Sequence, residues 1–232
     1  HGKWSIAQAL KRADPEYRCA HFGKWEEVIT GTWGNRESQL PGSPDSLGYD
    51  LHDGMNGNRE GTFYFRGDPN TYKNTICEAN PDPKRTLSVT DKAICFLNAQ
   101  TKDDRPFYLQ ISYFAIHTAF QALEETMERY QKLPDPGRKV AGGIAPMLED
   151  LDAAVGQIME TVEKLGLSGN TYIFFTSDNG GEFHSKWKDN PPEKGRNHPL
   201  RMYKQTLYEG GIRVPFIVKG PGIRAGSICR EP

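Results

Sequence analysis

Two kinds of apolar pattern alternate along this chain. Short runs of aromatic and β-branched residues, YRCAHFG (17–23), RPFYLQISYF (105–114), TYIFFTS (171–177) and RVPFIVKG (213–220), read as strands. The third has the continuous apolar character of a buried strand. Between them lie segments with helical periodicity. The clearest is GGIAPMLEDLDAAVGQIMETVEKLG, where Ile144, Met147, Leu148, Leu151, Val155, Ile158, Met159, Val162 and Leu165 make one stripe. Gly166 supplies its stop. SIAQALKRAD predicts a helix with Ile6, Ala9 and Leu10 on one face, ended by Pro15. DKAICFLNAQ predicts another, capped by Thr90 and Asp91. Alternating helices and strands imply an α/β fold with a mostly parallel central sheet flanked by helices.

From Thr30 to Arg85 the composition shifts to Gly, Pro, Asn and Asp. So long a stretch without periodicity reads as an ordered excursion over the face of the domain rather than a linker. The chain's 232 residues suffice for one large domain or two small ones. A net charge of −1 gives no electrostatic case for nucleic acid or an anionic membrane. No apolar run approaches the roughly 18 residues of a membrane span. Cys19, Cys77, Cys95 and Cys229 lack the close spacing of a zinc site. Cys19 and Cys95 sit among apolar or β-forming residues and read as buried thiols, and a Cys77–Cys95 bridge stays open.

The chemistry gathers where strands end. One strand runs into Lys24, another into His117, a third into Asp178 and Asn179, while Lys204, Glu209 and Arg213 precede the last. Parallel strands place such groups along one rim, where α/β sheets bind ligands. Each cluster also has a plain structural reading. Asp178-Asn179-Gly180-Gly181 suits a tight turn, His117 a structural histidine, and Lys24 a solvated lysine. Glu209 and Arg213 suit a paired glycine corner. Together, hard oxygen donors, lysines and a histidine suit a cation beside a tetrahedral oxyanion. Gly180 and Gly181 would permit the bend that aims both donors the same way.

The segments TYIFFTSDNGGEF, YKQTLYEGGIRVPFIVKGPG, PFYLQISYFAIHTAF and YRCAHFGKW resemble successive motifs of the type I sulfatases. The resemblance runs in order from about Ser5 to Gly222. It implies the alkaline-phosphatase-like sandwich and hydrolysis of sulfate monoesters by a formylglycine nucleophile with bound Ca²⁺ in preference to Mg²⁺. By position it makes Asp178 and Asn179 metal ligands, and Lys24 a contact to nucleophile and sulfate. His117 protonates or stabilises the leaving oxygen, Lys204 holds a sulfate oxygen, and Glu209 and Arg213 scaffold their corner.

The family's modification motif, Cys or Ser followed by Pro and Arg at alternate positions, is absent. Residues 1–232 are therefore expected to be a partial catalytic domain lacking the nucleophile segment, inactive by itself, with a loop-rich, substrate-side excursion at about 30–88. Tyr49, Phe63, Tyr64, Phe65 and Tyr72 there are candidates for stacking on a sugar or aryl group, with plain packing as the alternative. The implied substrate is a sulfated small molecule or glycan. The implied location is periplasm, cell exterior or an organelle lumen. Two other readings stay open. One is a phosphoester or phosphonate hydrolase of the same superfamily. The other is a non-catalytic module binding sulfated glycans, which Glu26 favours, standing where the family commonly has His.

Overall fold

The computed structural model describes residues 4–25, 42–53, 81–117, 120–133, 144–182 and 197–229. The chain forms two compact units, His1–Leu165 and Gly166–Pro232.

The first unit opens with helix α1 (Ile6–Ala13). Ser5 and Gln8 form a capping box, with the Ser5 hydroxyl accepting from Gln8 N–H at 3.0 Å and the Gln8 side-chain Oε1 from Ser5 N–H at 3.1 Å. Such a cap contributes about 1 kcal/mol. The expected face is not the buried one: Ile6 is 59% exposed and Ala9 is exposed, while Ala7 is buried. Ser5 and Gln8 donate to the Leu47 and Ser46 carbonyls, and this docking turns the small Ala7 inward.

Strand β1 (Arg18–Gly23) lies between β2 (Leu51–His52) and β3 (Phe107–Ser112), parallel to both. β2 has no sequence signal beyond two residues inside the Gly- and Asp-rich stretch. Helix α2 (Thr86–Gln100) packs against β1 and against α4 (Ile144–Lys164). It begins before the expected cap. Thr90 lies inside it, its hydroxyl bonded to Thr86 C=O at 2.7 Å, and Asp91 follows within the helix. The Asp82 carboxylate instead accepts from Leu87 and Ser88 N–H at 3.1 and 2.8 Å. Cys19 is buried as expected, but Cys95 is exposed, because Ala93, Phe96 and Leu97 take the inward face of α2.

Most of the expected stripe of α4 faces inward, with Ile144, Met147, Leu151, Ile158 and Val162 buried; Leu148 is 50% exposed. Gly166 ends that helix with φ +71°. The short helix α3 (Glu124–Gln131) has no apolar stripe to announce it. Asp150 of α4 caps it from outside, accepting from Leu123 N–H at 2.7 Å and from the Thr126 hydroxyl at 2.6 Å.

In the second unit, β4 (Ile173–Thr176) pairs antiparallel with β5 (Phe216–Lys219). This pairing departs from the expected parallel arrangement: among the described residues β4 is hydrogen-bonded to β5 alone, and antiparallel. Nor is β4 buried: Phe174 is 62% exposed. Its apolar rings stack along the ribbon, Tyr172 on Phe174 and Phe174 beside Phe216. The excursion at about 30–88 falls largely outside the described residues, as do Glu26, Cys77, Phe63, Tyr64, Phe65 and Tyr72. Tyr49, within reach, packs with Ala7, Cys19 and Trp25 as core. Among the described residues no helix is long and apolar enough to cross a membrane.

Candidate functional site

Lys24 and His117 leave the carboxyl ends of neighbouring parallel strands, whose last paired positions are Gly23 and Ser112. The backbone at Gly23 turns at φ +104°, and a Cβ there would lie 2.1 Å from Ser112 O. Only glycine allows this approach. It lets Lys24 N–H donate to the same Ser112 carbonyl at 2.7 Å, which starts the half-buried Lys24 side chain from a fixed point on the rim. Three residues past Phe114, His117 N–H donates to Phe114 C=O at 2.9 Å, closing a turn that stops the chain just beyond β3. The structure thus brings these two predicted site residues onto one edge of one sheet.

Beneath that edge lies a buried polar network. His21 Nε2 is 3.1 Å from Ser112 Oγ, with its ring edge-on to Trp25 and Tyr49. Burial lowers the His21 pKa to about 4, opposed by the Asp53 charge, so the ring is neutral at neutral pH. Beside it, Asp53 Oδ1 accepts from Gly23 N–H at 3.0 Å, and Oδ2 meets Arg85 and Lys92 at 3.2 and 3.1 Å. Sequence reading passed over Asp53, Arg85 and Lys92. Asp53 and Arg85 are 32 residues apart, and no periodicity joins them.

In the second unit the turn after β4 is held by backbone on two sides. Gly180 N–H donates to Gly211 C=O at 2.9 Å, and Lys204 N–H to Gly181 C=O at 3.0 Å. Asn197 clamps Gly181 reciprocally, accepting its N–H at 2.9 Å and donating to its carbonyl at 2.8 Å. Gly180 matters through crowding and not through an unusual backbone angle: a Cβ would lie 1.9 Å from Gly210 O. The backbone of Lys204 is therefore tied to the turn that follows Asp178 and Asn179. The expected pairing of Arg213 with Glu209 is present at 3.3 Å on helix α5 (Glu209–Ile212), and both side chains are exposed. Asn197 was missed because its role depends on contacts 16 residues away.

The donors fit a hard cation in kind. Asp178 offers an exposed carboxylate, and the Asn179 amide nitrogen is engaged with Gly180 C=O at 2.9 Å, leaving its oxygen as the donor atom. In number they fall short of the roughly six to eight oxygens calcium takes. Among the described residues no three His, Cys, Asp or Glu gather. For a formylglycine the described cysteines do not fit. Cys19 is wholly buried, burial pushes its thiol up to about 11, and Cys19, Cys95 and Cys229 all lack the Pro and Arg of the motif.

The chain is 34% identical over 147 residues to mouse (Mus musculus) N-acetylgalactosamine-6-sulfatase, covering 63% of this chain and 26% of that protein. It is 28% identical over 231 residues to mouse arylsulfatase J, covering 99% of this chain and 33% of the relative. Among solved structures, Ps i-CgsB in complex with k-i-k-neocarrahexaose matches at TM-score 0.65 and 26% identity, over 94% of this chain and 47% of that one. The chain thus spans less than half the length of each. The fold is α/β and alkaline-phosphatase-like. With the pattern of the Sulfatase family matching residues 1–228, the chain belongs to the sulfatases.

Proposed function

We propose that the full-length protein hydrolyses sulfate monoesters, with residues 1–232 forming part of its catalytic domain. The observation that carries this reading is the placement, in a member of the sulfatase family, of Lys24 and His117 on one rim, following adjacent parallel strands. Lys24 contacts the nucleophile and the sulfate, offsetting negative charge, and Lys204 holds a sulfate oxygen. Each such contact is worth about 3 kcal/mol in a water-excluded site. His117 gives its proton to the departing alcohol oxygen, replacing an alkoxide leaving group by a neutral alcohol.

Asp178 and Asn179 would supply two oxygen donors to a Ca²⁺ ion, whose tolerance of irregular carboxylate and amide sets favours it over Mg²⁺. When bound, such an ion would supply positive charge that favours an anionic sulfate ester. No described cysteine is assigned as the nucleophile, so turnover is a property of the full-length protein. The names of the relatives, an amino-sugar sulfatase and a carrageenan-oligosaccharide complex, support a sulfated glycan or smaller sulfate ester as substrate. We place the protein outside the cytosol, in periplasm, cell exterior or organelle lumen.

The test is hydrolysis of p-nitrophenyl sulfate and p-nitrophenyl phosphate by the full-length protein, before and after chelation. Sulfate ester turnover that disappears with chelator and returns with Ca²⁺ is expected. Preference for the phosphate ester contradicts the reading, as does binding of sulfated oligosaccharide with no turnover of either ester.

A further inference from the structure

Lys24 and His117 can act on one ester only while they keep their separation. One buried carboxylate reaches the supports of both. Asp53 follows β2, and its side chain is 4% exposed. One oxygen holds the N–H of Gly23, the residue immediately before Lys24, at 3.0 Å. The other pairs with Arg85 at 3.2 Å and Lys92 at 3.1 Å. The Arg85 guanidinium in turn lies 5.7 Å from the ring centre of Phe114, whose carbonyl takes the His117 N–H at 2.9 Å. Phe114 is itself buried, so the arginine stacks on a fixed surface.

The arrangement is more than charge neutralisation. A buried carboxylate needs compensation, and two cations with one N–H supply it. Yet the N–H chosen belongs to the positive-φ turn at Gly23, and the arginine chosen faces the ring of the residue that anchors His117. Arg85 itself has a left-handed backbone, φ +54°, just ahead of α2. For a residue other than glycine, that conformation persists only where the surroundings hold it.

We propose that Asp53 is a positioning residue for the sulfatase reaction, keeping Lys24 and His117 in one arrangement through Gly23 on one side and Arg85 with Phe114 on the other. This rests on the roles given above to Lys24 and His117. Asp53 touches neither substrate nor reacting atoms.

The test compares Asp53→Ala and Asp53→Asn in the full-length protein, with p-nitrophenyl sulfate kinetics and amide hydrogen exchange on the same samples. Asp53→Ala should lower kcat by about 10- to 100-fold with KM within about threefold, because misplacing groups that act together costs the transition state most. Asp53→Asn keeps an oxygen for Gly23 N–H and should recover about half of that loss on a logarithmic scale. In Asp53→Ala the amides of Lys24 and His117 should exchange about tenfold faster together, while α4 keeps its protection.

A kcat within about twofold of the unmodified protein overturns the proposal. So does a loss carried by KM alone, faster exchange at Lys24 without His117, or equal loss of protection in α4. Should Asp53→Ala not fold, Asp53→Asn decides by the same criteria, with exchange at His117 still expected to rise because Arg85 has lost its charged partner. An unmodified protein inactive on sulfate esters removes the proposed function, and exchange alone then decides whether Asp53 couples the two segments.

Discussion

Gly23 sets where Lys24 begins, and its requirement is steric. At φ +104°, with Ser112 O only 2.1 Å from any added Cβ, alanine has no room, because the atom in the way is backbone within a paired strand. Gly23→Ala should cost about 2 kcal/mol or more, read as a lowered urea midpoint at unchanged slope. A midpoint shift worth under about 0.5 kcal/mol contradicts the geometry. His21 gives a pH signature. Its folded pKa of about 4 lies below the ordinary histidine value of 6.5, so the unfolded chain binds more protons between those values. The stability it contributes is complete above about pH 6.5 and drains away toward pH 4, by about 3 kcal/mol at most. The facing charges are Asp53, which favours its protonation, and His52, which opposes it. Urea midpoints measured from pH 7 to pH 4 should fall less steeply in His21→Gln than in the parent.

Among the elements, legibility followed locality. The stripe of α4 and its glycine stop are periodic within one segment, so both could be read from residues a few positions apart. Helix α2 misled because Thr90-Asp91 imitates a cap, while the true acceptor, Asp82, sits outside the helix and reaches in to Leu87 and Ser88. Helix α3 was invisible for a different reason. It has little apolar stripe, and its cap comes from Asp150, 24 residues from Thr126. Burial raises the pKa of Asp150, and the Thr126 hydroxyl and Leu123 N–H oppose the shift. Asp150→Ala should therefore cost about 1 to 3 kcal/mol and fray α3 first, measured as faster amide exchange over Glu124–Gln131 than over α4. Equal exchange in both helices would remove Asp150 from its capping role.

For the whole molecule, the motifs at the strand ends carried the family, because chemistry placed on short contiguous stretches survives without any knowledge of packing. The same stretches identified Lys24, His117, Asp178, Asn179 and Lys204 as candidates. They could not disclose Asp53, Arg85 and Lys92, whose meeting depends on strand β2 lying beside β1. Nor could an apolar run distinguish the exposed antiparallel ribbon of β4 and β5 from a strand of the parallel sheet.

The most direct measurement is kcat/KM for p-nitrophenyl sulfate in the full-length protein and its Lys24→Ala and Asp178→Ala variants, each checked for folding by circular dichroism. The account predicts a loss of about 100-fold or more in each, with native spectra retained. Folded variants that keep activity within about threefold of the parent would contradict it.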